Sequence, residues 1–180
     1  MWHDLSMMSL ELARAHGVVK GGENVCGLSG FSKNTAFSQS HAFCTVQGNR
    51  NIGGFAGYNF KCIVTNCYSR SSVTGEWYVG GLLAYNHTGS VQYCYAVGNV
   101  SGPAFPGGLL GFNDNGNVVA SYWDAATTKQ AASHGSESSF GKTTQEMRAE
   151  STFENWDFTA VWAIRETVDY PYLQAVREQP

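Results

Sequence analysis

His87 and Asp114 are the residues of this chain whose types and spacing best suit acid–base chemistry. They lie 27 residues apart, and a histidine beside a carboxylate can act as a general acid or base near neutral pH. If the two side chains face one cleft, the chain would be a hydrolase or lyase that acts on a glycan or a small ester. They are the candidate catalytic residues of that hypothesis.

Asp114 also belongs to the candidate metal ligands. Asp114 and Asp124 are the only aspartates in residues 25–124, and Asn113, Asn115 and Asn117 surround the first of them. Carboxylate and amide oxygens in loops are ligands that Ca²⁺ prefers. Two carboxylates make a sparse site, but calcium is the cofactor that these residues suggest.

Trp77, Tyr78 and Phe105 form the candidate ligand-binding group. Phe105 follows Tyr78 by 27 residues. Exposed aromatic rings stacked along a repeat protein suit the rings of a glycan or the surface of a host or partner protein. The alternative is that these three rings only pack at a corner of the fold.

Complete catalytic signatures are absent from the sequence. It contains no His-Glu-x-x-His zinc helix, no Gly-x-Ser-x-Gly elbow and no phosphate-binding loop. The segment 139–142 matches the Ser-x-x-Lys pattern, but a pattern with two fixed letters arises often by chance. The function must therefore be sought in the arrangement of the repeats.

The elements that position these residues repeat with a period of 27. Aromatic, asparagine, valine and tyrosine positions recur in fixed columns, and no insertion interrupts the four units. The units begin at glycine-centred segments: Cys26-Gly27-Leu28, Gly53-Gly54-Phe55, Gly80-Gly81-Leu82 and Gly107-Gly108-Leu109. Such self-similarity is typical of stacked-repeat architectures, whose units bury their apolar faces only against one another.

Each unit has the pattern of short β-strands. In the segment 90–96, Val91, Tyr93 and Tyr95 share one face because side chains alternate along a strand. Turns rich in Gly, Asn and Ser separate about three strands per unit. The sequence predicts an all-β parallel β-helix, right-handed from the handedness of parallel crossovers. A β-propeller or β-prism is the alternative, although the unit is short for a four-stranded blade.

The repeats are predicted to occupy residues 1–124. Full units start near residues 25, 52, 79 and 106, and residues 9–22 fit the end of an earlier unit. An amphipathic helix over Trp2–Ala15 is the alternative for the first residues, but helix propensity is a weak signal.

The remaining residues, 125–180, are predicted to cap the solenoid. Residues 125–142 have the composition of an extended loop. Short helices are expected after Thr143, followed by a dense set of apolar residues from Trp156 to Leu173. An open solenoid end exposes core side chains and unpaired strand edges, so we expect this segment to cover the last coil.

The five cysteines do not have the paired spacing of a metal site. Cys67 and Cys94 occupy one column of adjacent units, within the distance that a disulfide allows. Side chains in a parallel ladder are aligned with each other instead of aimed at each other. Stacked free thiols are therefore favoured over a disulfide.

Composition narrows the classes of function. Charged residues make up 14% of the chain, below the roughly 25% of an average soluble domain. The net charge of −3 disfavours nucleic acid as a partner. No apolar stretch reaches the length of a membrane span. No basic and apolar leader opens the chain, and we expect a fragment of a larger multidomain protein.

Two of the units resemble a known repeat family. The segments Val79-Gly-Gly-Leu-Leu-Ala-Tyr-Asn86 and Ile52-Gly-Gly-Phe-Ala-Gly-Tyr-Asn59, each followed by a short β run ending in tyrosine, are similar to GLUG motifs. The resemblance extends over residues 25–124, and the residues beyond resemble the closing segment that often follows such arrays. GLUG repeats occur in bacterial secreted and surface proteins, including adhesins and the non-catalytic parts of immunoglobulin A metalloproteases.

The resemblance implies a scaffold and names no reaction. We therefore expect a non-catalytic repeat module of a bacterial surface or secreted protein, which serves adhesion, spacing or ligand binding. The enzyme hypothesis, with His87 and Asp114 on the lateral face, is the alternative.

Overall fold

The computed structural model of the chain describes residues 7–134 and 139–176. These residues form a parallel β-helix, in which each strand pairs in parallel with the strand one repeat later. Tyr58 pairs with Phe31 on one side and with Tyr85 on the other, and Tyr85 pairs in turn with Phe112. The predicted all-β solenoid with 27-residue coils is thus confirmed.

Four faces surround the coil, and corresponding strands stack on each face. Face 1 contains Glu23–Cys26, Arg50–Gly53, Trp77–Gly80 and Ala104–Gly107. Face 2 contains Ser29–Lys33, Ala56–Phe60, Leu83–His87 and Leu110–Asp114. Face 3 contains Met8–Glu11, Thr35–Ser38, Ile63–Thr65, Ser90–Gln92 and Asn117–Val119. Face 4 contains Arg14–Lys20, His41–Gln47, Tyr68–Arg70, Ser72–Thr74, Tyr95–Val97, Val100–Ser101, Ser121–Asp124 and Ser139–Lys142.

Residues in the left-handed backbone conformation bend the coil at two corners between faces and at one position within the face 1 strands. These residues fall into three columns: Asn24, Asn51, Tyr78 and Phe105; Asn34, Lys61, Thr88 and Asn115; and Leu12, Gln39, Asn66, Tyr93 and Ala120. Asparagine and glycine adopt this conformation readily, whereas other L-residues lose about 1–2 kcal/mol each. Recurrent asparagines at the turns are therefore a direct consequence of the coil shape.

The core lies inside the coil and is built from stacked columns. Its valine column consists of Val64, Val91 and Val118, all buried. A polar ladder also faces inward from face 2. Asn59 Nδ2 donates to Asn86 Oδ1 at 2.8 Å, and Asn86 Nδ2 donates to Asn113 Oδ1 at 2.8 Å. Each coil therefore bonds to the next through side chains as well as through backbone.

The first described strands extend the same stacking. Met8–Glu11 pairs in parallel with Thr35–Ser38, and Arg14–Lys20 pairs with His41–Gln47, again at an offset of 27 residues. The alternative of a helix over Trp2–Ala15 is wrong for the residues that the structure describes. Residues 1–6 lie outside that part of the chain.

Residues 125–134 and 139–142 lie against the last coil and do not form a simple loop. Ala125–Thr128 is one turn of α-helix. After it, the backbone of Gly108 donates to Ala132 O at 3.0 Å, and Ser139–Lys142 adds a strand to face 4. This part of the prediction was wrong, because the chain reuses the free edge of the last coil instead of leaving it.

The C-terminal cap with short helices is confirmed, but it covers a flank of the solenoid. It contains the 3-10 turns Glu146–Arg148 and Glu150–Thr152 and the antiparallel pair Trp162–Ala163 and Tyr172–Leu173. Its apolar side chains pack on the outward tyrosines of face 4, which are Tyr68, Tyr95 and Tyr122. The predicted cap thus has two parts: residues 125–134 and 139–142 lie on the last coil, as expected, whereas residues 143–176 cover face 4.

All five cysteines are buried free thiols, as the ladder geometry favoured. The backbone N–H of Cys67 donates to Cys94 Sγ at 3.4 Å. Burial, together with the neighbouring Cys94, raises the pKa of Cys67 well above its usual value. Within residues 7–134 and 139–176, no helix is long and apolar enough to cross a membrane.

Candidate functional site

The outward side of face 2 carries an aromatic ladder whose rings are exposed or half-buried. Phe31, Tyr58, Tyr85 and Phe112 stack in register, with ring centroids 5.5, 4.9 and 5.1 Å apart. The Phe31 side chain is 60% exposed. The ladder follows from the sequence column of aromatic residues, because successive coils place equivalent side chains on the same face.

Face 1 adds the three ligand-binding candidates to this ladder. Tyr78 stacks on Phe105 with centroids 5.2 Å apart, and Trp77 lies 6.3 Å from Phe105. The Tyr78 ring meets Tyr85 and Phe112 edge to face, each at 5.4 Å. The structure thus brings Trp77, Tyr78 and Phe105 together and joins them to the face 2 ladder.

We call this combined region the aromatic surface. It consists of Phe31, Tyr58, Tyr85, Phe112, Trp77, Tyr78, Phe105 and His134. His134, from the segment after the last coil, stacks on Phe112 at 4.3 Å. Sequence reasoning did not connect His134 with the site, because it lies outside the 27-residue register.

Trp77 is the one tryptophan of the aromatic surface. Its side chain is 51% exposed. In the face 1 ladder its neighbours are Arg50 in the preceding coil and Ala104 in the following coil. Because alanine has no ring to stack on the indole, Trp77 keeps apolar area free for a ligand.

Cationic and polar groups border the rings. The Arg50 guanidinium lies 5.8 Å from the centroid of the Tyr78 ring. Lys33 and Lys61 lie 5.6 and 5.4 Å from the centroid of Phe60, which stacks in turn on His87. The site therefore combines ring area with hydrogen-bonding groups.

His87 and Asp114 meet at the edge of the aromatic surface. His87 Nδ1 lies 2.6 Å from Asp114 Oδ2, and each side chain is 31% exposed. Asp114 also accepts hydrogen bonds from the Tyr85 hydroxyl at 3.4 Å and from Asn115 Nδ2 at 2.8 Å. Burial and the negative charge of Asp114 raise the pKa of Tyr85, so its hydroxyl stays protonated and donates.

This arrangement contains a base and its orienting carboxylate but lacks a visible nucleophile. Among the described residues, no serine or threonine hydroxyl and no thiol forms a hydrogen bond with His87. General-base activation of a water molecule is the chemistry that the pair supports.

Asp124 lies on face 4 and has a structural role. Its Oδ1 accepts from the backbone N–H groups of Ala126 and Thr127 at 2.9 and 3.0 Å, which caps the short helix. Its Oδ2 accepts from Thr144 Oγ1 and from the Tyr170 hydroxyl, both at 2.7 Å. The carboxylate therefore fastens the C-terminal segment to the last coil.

The two candidate calcium ligands are not brought together. Asp114 belongs to face 2 and Asp124 to face 4. Throughout the described ranges, no group of three or more His, Cys, Asp or Glu side chains could hold a metal ion. The signal for the real role of Asp124 was its position before Ala-Ala-Thr-Thr, which is typical of a helix N-cap.

Two cavities of the molecule lie apart from the aromatic surface. One of about 560 Å³ is lined by Glu150, Ser151, Phe153, Glu154, Trp156, Phe158 and Glu166 of the C-terminal segment. Another of about 360 Å³ lies along Gly21, Gly48 and Gly75. Neither shares a residue with the aromatic surface.

Comparison with known proteins agrees with the geometry. The GLUG motif matches residues 48–74 and 75–101, the two central coils. A solved structure of a candidate immunoglobulin A1 protease from Bacteroides ovatus superposes with a TM-score of 0.66 and 17% sequence identity, covering 96% of this chain and 76% of that one. At this identity the likeness shows the fold alone. No curated protein matches the sequence. This chain thus contains two GLUG motifs within the fold of a parallel β-helix.

Proposed function

We propose that the chain is a non-catalytic binding module of a bacterial secreted or surface protein, and that its aromatic surface binds a glycan. One observation carries this proposal. The molecule has two outward aromatic ladders: residues 143–176 pack over the one on face 4, whereas the one on face 2 leaves Phe31 60% exposed and the adjoining Trp77 51% exposed. Large exposed aromatic patches on a soluble domain usually mark binding sites.

The chemistry of the surface favours a glycan over an apolar protein partner. A sugar offers apolar C–H faces and polar hydroxyl edges, so its site needs rings and hydrogen-bonding groups side by side. Trp77 supplies an exposed ring, while His87, Asp114 and Arg50 supply donors and acceptors at its border. The rings also recur at the spacing of the coils, which suits a polymer running along the helix axis.

The bacterial secreted or surface location rests on the GLUG motif and on the β-helix neighbour. The motif occupies the coils that carry Trp77 and Tyr78. The structural neighbour is a candidate immunoglobulin A1 protease from a bacterium. Glycans are the polymers that such a module would meet outside the cell.

A panel of bacterial and host polysaccharides tests the proposal by affinity electrophoresis and calorimetry. The wild-type chain should bind at least one glycan, and Trp77→Ala should weaken that binding about tenfold, because a ring contact contributes about 1 kcal/mol or more. Ile63→Ala removes an exposed apolar side chain from face 3 and serves as the matched control. Binding to a host protein but to no glycan would overturn the glycan assignment, as would a Trp77→Ala variant with unchanged affinity.

The His87–Asp114 pair supports a second candidate function, a hydrolase or lyase that acts on the same class of ligand. His87 would remove a proton from water or from substrate, and Asp114 would hold the ring in place and stabilise the imidazolium. The observation that favours it is the 2.6 Å distance between the two side chains.

Turnover of the glycan panel separates this candidate from the binding module. His87→Ala should then lower the rate by about 100-fold or more, without a change in melting temperature. His16→Ala, which removes an exposed histidine from face 4, should leave the rate unchanged. If wild-type turnover equals that of a heat-treated sample, the enzyme candidate is excluded.

A further inference from the structure

One left-handed column changes residue type at the aromatic surface. Asn24, Asn51, Tyr78 and Phe105 all have positive φ, at 53°, 56°, 52° and 53°. Asparagine suits this conformation because its short polar side chain can hydrogen-bond locally to the backbone, whereas a bulky aromatic residue there is an outlier. Coils three and four therefore hold strained residues where the first two coils hold relaxed ones.

The change of residue type also interrupts a side-chain ladder. Asn51 Nδ2 donates to Asn24 Oδ1 at 2.9 Å. The other amide atom, Asn51 Oδ1, is buried and has no hydrogen-bond partner. An asparagine at position 78 would offer its Nδ2 to that oxygen. Tyr78 therefore forgoes a hydrogen bond in addition to adopting a strained backbone.

The inward ladder of face 2 shows what the uninterrupted arrangement looks like. Asn59, Asn86 and Asn113 continue amide to amide through three coils. The repeat can thus maintain an asparagine ladder through three coils. The ladder of Asn24 and Asn51 is not continued at position 78, because that residue is a tyrosine.

The neighbouring column changes at the same coil. It carries Glu23 and Arg50 in the first two coils and Trp77 in the third. The pair Arg50 and Asn51 of the second coil is thus replaced by Trp77 and Tyr78 in the third. Strained residues that persist in a fold tend to lie at functional sites.

We infer that Tyr78 and Phe105 are specificity-determining residues of the glycan site, retained although asparagine at these positions would make the fold more stable. The coils beginning at Trp77 and Ala104 then hold the part of the aromatic surface that sets its specificity. The inference rests on the proposed function.

Replacing each residue by the asparagine that the column already uses tests this inference. Tyr78→Asn should raise the melting temperature by about 2–4 °C, because it removes strain and supplies the donor that Asn51 Oδ1 lacks. Phe105→Asn should give a smaller rise, since its preceding neighbour is Tyr78. Both variants should weaken glycan binding about tenfold.

Tyr58→Asn is the matched control, because it removes a ring of the same surface from an extended backbone position. Its melting temperature should fall. If Tyr78→Asn also melts below the wild type, the ring serves packing and the inference is overturned. If Tyr78→Asn binds the glycan as tightly as the wild type, the inference fails while the proposed function stands. If the wild type binds no glycan, the proposed function itself fails.

Discussion

The two outward aromatic ladders of this β-helix arise from the same repeat but have opposite surroundings. On face 4, Tyr68 and Tyr95 are fully buried beneath the C-terminal segment. On face 2, Phe31 is 60% exposed, and Trp77 beside that ladder is 51% exposed. A column of aromatic residues therefore fixes where rings stack, but whether they are buried depends on a segment outside the repeat.

The polar atoms of the two ladders differ as well. The Tyr95 hydroxyl donates to Pro171 O at 2.7 Å and accepts from Arg70 Nε at 2.8 Å, so it is bonded within the molecule. On face 2 the Tyr85 hydroxyl reaches only the surface carboxylate of Asp114. The covered ladder thus stabilises the fold, and the uncovered ladder leaves both rings and polar groups for a ligand.

Removing one tyrosine from each ladder tests this contrast most strongly. Tyr95→Ala should lower the free energy of unfolding by about 4 kcal/mol, because it opens a cavity and breaks two buried hydrogen bonds. Tyr58→Ala on the uncovered ladder should cost about 1 kcal/mol. Urea denaturation of both variants measures the difference. Equal losses would show that the C-terminal segment does not stabilise the ladder it covers.

Acid should weaken the covered ladder in particular. Burial, with smaller contributions from His16, Arg14 and Arg70, lowers the pKa of His41 to about 4. The unfolded chain, with a histidine pKa of about 6.5, therefore binds the proton first as the pH falls. Stability from this group is complete above about pH 6.5 and declines by about 3 kcal/mol towards pH 4.

His41→Tyr isolates that decline, since tyrosine occupies the same column at Tyr68 and Tyr95. Denaturation curves at several pH values should show a shallower loss of stability in the variant. A loss as steep as that of the wild type would assign the acid sensitivity to other groups.

The next largest loss of stability is expected from Asp124, which binds the C-terminal segment over face 4 to the last coil. Asp124→Ala leaves two backbone donors and the hydroxyls of Thr144 and Tyr170 without their acceptor, and should cost about 2 kcal/mol. Limited proteolysis should then cut residues 143–176 sooner. Glu154→Ala, which removes an exposed carboxylate of the same segment, is the control and should change little. If proteolysis of Asp124→Ala is unchanged, apolar packing alone holds residues 143–176 on face 4.

The smallest expected change in stability concerns the asparagine ladder that faces inward from face 2. Asn59 Oδ1 is buried without a hydrogen-bond partner at the point where Ser32 replaces asparagine in the column. Ser32→Asn should extend the ladder by one coil and raise stability by about 1 kcal/mol. Asn86→Ser, which interrupts the same ladder, should lower it. A destabilised Ser32→Asn variant would show that the first coil has no room for the amide.

The coil and its registers could be predicted from the sequence because a solenoid repeats one set of local conditions. Tyr58, Tyr85 and Phe112 needed only their spacing to be placed in one ladder. The aromatic group of Trp77, Tyr78 and Phe105 followed in the same way, as did the proximity of His87 and Asp114.

The position of the C-terminal segment could not be predicted, because it depends on contacts between residues far apart in sequence. Trp162 reaches Asn66 through its indole N–H at 3.1 Å, and no period relates those positions. The role of Asp124 was missed for the same reason, since two of its four donors come from the segment that covers face 4.

The constant spacing of the coils also constrains how this protein can evolve. A gene duplication that copies one coil in frame leaves the hydrogen bonds of its neighbours intact. A copy of the coil that begins at Trp77 would lengthen the aromatic surface by roughly 4.8 Å. The same copy would add a tyrosine to face 4, beyond the reach of a C-terminal segment of fixed length. A longer binding surface on face 2 would therefore come with an exposed tyrosine on face 4, which would destabilise the fold.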